Sequence, residues 1–397
     1  MASASDLLLA ERTQHLRKSN IRAVTEKVNA VNGINLGQGI CDLPTPDAIK
    51  SRAQQAIEDD KSIYSHHAGI EELRGHILEK VRSYNDLPAE SPEEVMVSAG
   101  STGGFVTAVM ALIEPGDEVV LFEPFYGYHR NILQLMDASL KYVTTRPPDW
   151  SVDFEALEAA MSDRTKAVIV CTPSNPSGKV WSRAELEQLQ DLLERYDSFA
   201  ITDEIYEYML YDGAAHISLA SLPGAYERTV TLSGFSKTYN MTGWRLGYAV
   251  APPPIIEKMG LLNDLLYICA PTPLQHGVTA AFDGIDPDYL DQMQSDYAAK
   301  RQMMCETLEA IGFEVPWPAG AYYVLASFEP LSGTVPGFED DAAANDTLIH
   351  EAKVATVTGR SFYQHAADGQ YLLRFCYAKE FPELEQACAN LREAFGG

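Results

Sequence analysis

The sequence predicts an α/β protein: a large, mostly parallel, doubly wound sheet accompanied by a smaller α+β region. Three observations carry this. From Glu94 onward, short apolar runs alternate with helix-period stretches, the pattern of βαβ units. Several of those runs end in Gly, Pro, Ser or Asn clusters that carry polar side chains, as the ligand-binding loops of such sheets do. Beyond Pro271-Thr272-Pro273 the alternation fades into long helical stretches and short aromatic-rich strands. At 397 residues and 46% hydrophobic content, the chain exceeds one ordinary core.

The first segment with chemical character is Ile34 to Gly39, whose glycines permit close backbone approach to a ligand, followed by Leu43-Pro44-Thr45-Pro46. Ser62-Ile63-Tyr64 then precedes Gly69 and a helical start at Glu71-Glu72-Leu73-Arg74. Val95-Met96-Val97 is a short strand, and Gly100-Ser101-Thr102-Gly103-Gly104 opens a helix running to about Ile113. A glycine-rich turn at a helix N-terminus offers free N–H groups and the positive dipole end, which suit a phosphate. Ser101 and Thr102 add hydroxyl donors. The uncharged run from Val95 to Ile113 is long enough to imitate a membrane span, but Ser98 to Gly104 breaks it into strand, turn and helix.

The next strand, Glu118 to Phe122, ends at Glu123-Pro124-Phe125-Tyr126. Lys166 to Cys171 leads into Thr172-Pro173-Ser174-Asn175-Pro176-Ser177-Gly178, which puts the Asn175 amide at a strand's C-terminal end, where α/β sheets bind ligands. Ser182 and Glu185 form a capping box for a helix whose core face is Leu186, Leu189, Leu192 and Leu193. The strand Phe199 to Thr202 delivers Asp203, followed by Glu204-Ile205-Tyr206. A carboxylate ending a buried strand needs a cationic partner. Thr229 to Leu232 is a further buried strand, leading into a Ser/Gly-rich turn that holds Lys237, with Arg245 eight residues later and an apolar run from Leu246. In such a turn the ammonium is desolvated, its pKa falls, and the amine can condense with an aldehyde. Helix is expected around Tyr289 to Ala310, then strands at Tyr322 to Leu325 and Tyr371 to Phe375. Arg374 lies inside the last of these and needs an anion to offset its burial.

The string S-x-x-S-K-T-x-N-M-T-G-W-R-x-G, from Ser233 to Gly247, closely resembles the lysine segment of the class I (aspartate aminotransferase-like, fold type I) enzymes that use pyridoxal phosphate. The resemblance spans roughly Asn35 to Tyr377, through the L-G-x-G segment, Y-x-x-x-x-G-x-x-x-L-R, P-x-[YW], N-P-x-G, D-E-x-Y and R-[LFI]-x-[YFS]. It implies that Lys237 carries the cofactor covalently and shuttles a proton. Asp203 would hold the pyridine nitrogen, while Asn175 and Tyr206 would serve the phenolic oxygen. Tyr126 would stack on the ring, and Arg245, Ser101 and Thr102 would hold the phosphate, with Ser233 or Ser236 assisting. Tyr64 would reach the partner's phosphate across a homodimer interface. Gly39 and Arg374 would meet the substrate carboxylate, with Asn175 alongside. The family fold further implies an N-terminal segment, 1–49, joined to a small domain at 285–397, and a large cofactor domain at 50–284. One departure stands out: Arg360 precedes Ser361-Phe362, where the family often has a small residue.

The implied reaction is ping-pong transfer of an amino group from an L-amino acid to a 2-oxo acid. Thr102 stands where one branch of the family places a lysine for dicarboxylates. Ile40, Tyr126, Tyr322 and Phe235 favour an aromatic or large neutral substrate. Arg360, or an arginine from the partner chain such as Arg22, would be the cation if aspartate were preferred instead. A β-elimination lyase or a cyclising synthase would use the same residues. A ligand-sensing domain would carry a basic DNA-binding extension, whereas this chain is acidic.

Composition sets the remaining bounds. Asp and Glu number 56 against 30 Lys and Arg, a net charge of −26 that repels nucleic acid and anionic membranes. An excess this large also fits a salty cytoplasm. The six cysteines are scattered without C-x-x-C or metal spacing, as expected of a reduced cytoplasmic protein with no metal. Cys41 alone follows a glycine loop, with packing as its expected role. The start, MASASDLLLAERTQ, has no signal-peptide core.

Overall fold

The computed structural model describes Thr13, residues 21–39, Cys41 and residues 43–396. A two-residue strand, β1 (Ile34–Asn35), comes first. Seven strands of one sheet follow: β2 (Val95–Ala99), β3 (Glu118–Glu123), β4 (Ser139–Thr144), β5 (Thr165–Cys171), β6 (Phe199–Asp203), β7 (Thr229–Gly234) and β8 (Leu246–Val250). Their spatial order is β2-β8-β7-β6-β5-β3-β4. The pairings from β7 through β6, β5 and β3 to β4 are parallel, while β8 is antiparallel to both neighbours. The sheet is thus mostly parallel, with β8 the reversed strand.

The alternation of side chains along each strand separates two cores. Val119, Leu121, Ile169, Ile201 and Val230 meet Phe105, Ala108 and Met259 on one face. Val120, Val168, Val170 and Ala200 meet Leu186, Leu189 and Leu193 on the other. The helix bearing those leucines, Arg183–Arg195, begins with the Ser182–Glu185 capping box that the sequence predicts. The apolar run from Val95 to Ile113 is β2 plus the Gly100–Leu112 helix, and no helix among the described residues is long and apolar enough to cross a membrane. Sequence periodicity does not reveal β4, because SLKYVT is an edge strand, mostly half-buried and without strict alternation.

The remaining strands are β9 (Tyr323–Ser327), β10 (Val354–Ala355), β11 (Val357–Thr358) and β12 (Leu372–Cys376). Strands β11, β12 and β9 form an antiparallel sheet, and β1 pairs in parallel with β10. The N-terminal segment is therefore stitched to the C-terminal third. Leu36, Tyr322, Phe328, Phe338 and Phe375 share one core there with residues of the Tyr289–Ala310 helix.

Candidate active site

The C-terminal ends of the parallel strands converge on a cavity of about 520 Å³. Helix Gly100–Leu112 follows β2, Tyr126 follows β3, Asn175 follows β5, Asp203 closes β6 and Lys237 follows β7. Because β8 runs the other way, Arg245 just before it lands at the same edge. Eleven of the residues singled out from sequence line this cavity: Gly39, Ser101, Thr102, Tyr126, Asn175, Asp203, Tyr206, Ser236, Lys237, Arg245 and Arg374. Strand ends collect loops in one place because every parallel strand exits at the same edge.

Lys237 Nζ donates to the Gly39 carbonyl at 3.1 Å, with the rings of Tyr206 and Tyr322 at 5.8 and 5.6 Å. Burial pushes its pKa below the ordinary lysine value. Cys41 is buried behind it, with Sγ 4.0 Å from the Lys237 carbonyl oxygen and 3.6 Å from the Tyr297 hydroxyl. This is a packing position.

Asp203 is 6% exposed and accepts from the Ile205 N–H at 3.3 Å. Its other oxygen lies 3.0 Å from His129 Nε2. The imidazole itself is wedged between Phe105 and Tyr126 at centroid distances of 4.5 and 5.1 Å. The Tyr206 hydroxyl lies 3.2 Å from that of Tyr323, and burial raises the Tyr206 pKa well above its usual value.

At the phosphate-like end, Arg245 adopts a left-handed backbone and donates to the Thr242 carbonyl at 2.9 Å. Its guanidinium crosses the start of the Gly100–Leu112 helix, where Gly100 has φ +71° and a Cβ would meet Arg245 Cζ at 2.8 Å. Only glycine meets both demands there. The first turn of that helix, with Ser101 and Thr102, thus lines the cavity beside the Arg245 guanidinium, and Ser236 lines the same cavity.

Arg374 is 4% exposed, and no carboxylate pairs with it among the described residues. Its Nη1 donates to Asn175 Oδ1 at 2.9 Å and its Nη2 to the Gly37 carbonyl at 2.6 Å, while Nε has no partner. Such a group retains its charge and hydrogen-bonding capacity for an incoming anion.

Other expectations land elsewhere. Tyr64 is 75% exposed and off the cavity wall. Phe235 does not line the cavity: it is buried among Tyr239, Tyr248 and Phe282, because the turn after β7 aims its side chain at the core. Tyr322 lies beneath the wall and donates to the Gly39 carbonyl at 3.1 Å, and its neighbour Tyr323 lines the cavity. Arg360 is absent from the wall too. It pairs with Asp341, whose carboxylate also accepts from the Arg360 N–H at 2.9 Å, and with Asp340 at 3.0 Å. Ile40 and the Arg22 side chain lie outside the described residues.

Sequence reading missed Phe105, Tyr128, His129, Ile132, Cys171 and Tyr323. For His129 a signal existed, since it lies one helical turn beyond Tyr126 and so on the same face. Glu204 and Glu207 turn the opposite way. Glu204 bonds Thr202, Ser218 and His216, while Glu207 bonds Ser233 at 2.7 Å, Asn85 at 2.8 Å and the Lys80 ammonium at 2.5 Å.

Residues 31–391 match the family described as aminotransferase class I and II. The aromatic-amino-acid aminotransferase 2 of Thermococcus litoralis is 30% identical over 390 residues, covering 98% of both chains. The aspartate aminotransferase of Pyrococcus abyssi is 31% identical over 390 residues, again covering 98% of both. Among solved structures, Escherichia coli YbdL, described as having a methionine aminotransferase function, superposes with a TM-score of 0.92. It is 28% identical, and the match covers 98% of this chain and 100% of that one.

Proposed function

The chain belongs to the class I and II aminotransferases and is an aminotransferase, and from that premise we propose that it uses pyridoxal phosphate at Lys237 to move the amino group of an aromatic or large neutral L-amino acid to a 2-oxo acid. The family uses that cofactor, and the cavity's donor set fits it. A helix N-terminus, Arg245 and hydroxyls suit a phosphate; a buried carboxylate held by His129 suits a protonated ring nitrogen; Asn175 and Tyr206 suit a phenolic oxygen; Lys237 is a desolvated amine. When bound, pyridoxal phosphate supplies an electron sink that acidifies the hydrogen on the amino acid's α-carbon and stores the amino group between half-reactions.

The protein's own groups do the rest. Arg374 binds the α-carboxylate as a bidentate pair and so fixes which face of the amino acid is presented. Lys237 Nζ takes the α-proton and returns it, its lowered pKa keeping a basic amine available. Asp203 aims its carboxylate into the cavity, with His129 setting its orientation. Tyr126, Phe105 and Tyr323 exclude water. The first product leaves before the second substrate enters, since both use one cavity. We assign cofactor binding chiefly to residues 50–284, with Arg374 supplied by the 285–397 unit.

One observation carries the substrate class. Among the described residues the cavity's lysine and arginine side chains are Lys237, Arg245 and Arg374. With Lys237 and Arg245 committed, a single cation remains, enough for one carboxylate. Tyr128, Ile132 and Ile205 add apolar wall. The aspartate-preferring reading needs a second cation, and Arg360 is already paired with Asp340 and Asp341.

A second copy completes the site in this proposal. Ile63 and Tyr64 (80% and 75% exposed) and, in the Pro253–Tyr267 helix and just after it, Leu261, Leu265 (81%), Leu266 and Ile268 are large apolar residues left exposed. Asn263 of the Pro253–Tyr267 helix donates to the His67 carbonyl at 2.7 Å, three residues beyond Tyr64, and Tyr267 packs towards Gly103 of the Gly100–Leu112 helix. Exposed apolar residues of this kind, on a helix packed against the one that opens at the cavity, suit a homodimer partner that receives Tyr64.

The test is borohydride reduction of the yellow protein followed by peptide mapping, with a panel of amino acids assayed against 2-oxoglutarate and pyruvate. The pyridoxyl label is expected on Lys237, and phenylalanine or methionine is expected to exceed aspartate in kcat/KM. A label on another lysine overturns the attachment, and an aspartate kcat/KM well above phenylalanine overturns the substrate class.

A further inference from the structure

We infer that Tyr323 is a positioning residue that ties the carboxylate-binding arginine to the phenolic donor, so that one side chain sets the geometry of both; this rests on the roles proposed above for Arg374 and Tyr206. Tyr323 opens β9 and is 1% exposed. Its ring centroid lies 4.4 Å from Arg374 Cζ, within the range at which a ring face holds a guanidinium. At its other end, the hydroxyl lies 3.2 Å from the Tyr206 hydroxyl. That hydroxyl also occupies the place a Cβ on Gly39 would take, so the loop beside Lys237 closes against the same side chain.

The surroundings show what this arrangement does. The hydrogen-bond partners of Arg374 are neutral: Asn175 Oδ1, the Gly37 carbonyl, and nothing at Nε. A guanidinium held by neutral groups keeps its charge for a substrate, but bidentate binding also requires its plane to be fixed. The Tyr323 ring supplies that support, with Phe362 a second ring at 5.3 Å. At the hydroxyl end, a Tyr206 that donates into the cavity leaves its oxygen to accept from Tyr323. A hydrogen bond received there polarises Tyr206 and strengthens the bond it makes. The adjacent Tyr322 sends its hydroxyl to the Gly39 carbonyl instead, so the two neighbouring tyrosines do different work.

Two variants of the holoenzyme separate the two ends. Tyr323→Phe keeps the ring and removes the hydroxyl: the pH midpoint of the cofactor's visible absorption is expected to rise by about half a unit, with the amino acid KM changing by less than about twofold. Tyr323→Leu removes the ring as well, and KM is expected to rise about tenfold. If Tyr323→Phe leaves the midpoint in place and Tyr323→Leu leaves KM in place, Tyr323 is packing alone and the inference fails. Arg374→Ala and Tyr206→Phe probe the reading beneath it. If those two leave KM and the midpoint unmoved, the assigned roles fail; if they move them and the Tyr323 variants do not, only the inference fails.

Discussion

The turn from Asp203 to Glu207 has two faces with opposite electrostatic logic. Asp203 and Tyr206 point into the cavity, where the aspartate meets an imidazole and a backbone N–H. Glu204 and Glu207 point into the interior, where each is satisfied by several partners and Glu207 faces the Lys80 ammonium. Arg360 and Arg374 repeat the contrast. Arg360 is neutralised by Asp340 and Asp341, while Arg374, buried and turned to the cavity, has no carboxylate partner among the described residues. Charges aimed at the interior are compensated by the protein. Those aimed at the cavity have fewer partners, and under the proposed function they serve ligands, which would separate function from stability within five residues.

Variants on the two faces should therefore fail in different ways. The largest effect is expected from Lys237→Ala, which under the proposed function removes nucleophile and proton shuttle together: turnover should fall about 10⁴-fold or more, with cofactor partly retained through the proposed phosphate contacts. Stopped-flow half-reactions and cofactor content per chain measure both. Asp203→Asn keeps the shape and removes the charge. Half-reaction rates should drop about 10²-fold or more, with thermal unfolding nearly unchanged. Wild-type rates in this variant would mean that another group supplies the charge.

Glu207→Gln inverts the pattern. It strands Lys80 among the rings of Tyr84, Tyr208 and Tyr248 and should cost about 3 kcal/mol in denaturant unfolding. Turnover per folded molecule should stay within about threefold. The pH dependence sharpens the test. Burial alone would raise the Glu207 pKa, but the Lys80 ammonium and His216 outweigh it and hold the carboxyl below the usual carboxylate range. A depressed folded-state pKa contributes stability above the unfolded-state value near 4.3, and that stability is lost as pH falls through the folded value. Wild type should therefore lose more stability on acidification than Glu207→Gln does.

The surface and the paired arginine give the smaller effects. Leu265→Glu should weaken self-association in sedimentation at micromolar concentration, and activity should fall with dimer content; an unchanged dimer would remove this face from the interface. Arg360→Met should leave the ratio of aspartate to phenylalanine kcat/KM within about twofold, because Arg360 is spent on Asp341. A large drop in that ratio would show that Arg360 reaches the substrate after all.

Much of the fold was legible because its signals are local. Apolar runs with turn residues at their ends placed seven of the longer strands within a residue or two, and the capping box placed the start of the Arg183–Arg195 helix. Edge strand β4 and the short pairings of β1, β10 and β11 were not legible. Their residues are few or half-exposed, and their partners are far away in sequence. Phe235 shows the limit at the site. An aromatic beside a lysine turn can face either way, and only the packing of Tyr248 and Phe282 decides it.

By itself the sequence determined which residues stand at the strand ends: Lys237, Asp203, Asn175, Ser101 and Arg245, and Arg374 within its strand. Strand period and turn chemistry are properties of a few consecutive residues, so they survive without the fold. Tertiary structure decided the partners. His129 reaches Asp203 across 74 residues, Asn175 reaches Arg374 across 199, Tyr206 reaches Tyr323 across 117, and Arg360 is claimed by Asp341. Whether a buried charge is compensated or kept for a ligand depends on what lies within about 4 Å of it, and that distance is set by the chain's return through space.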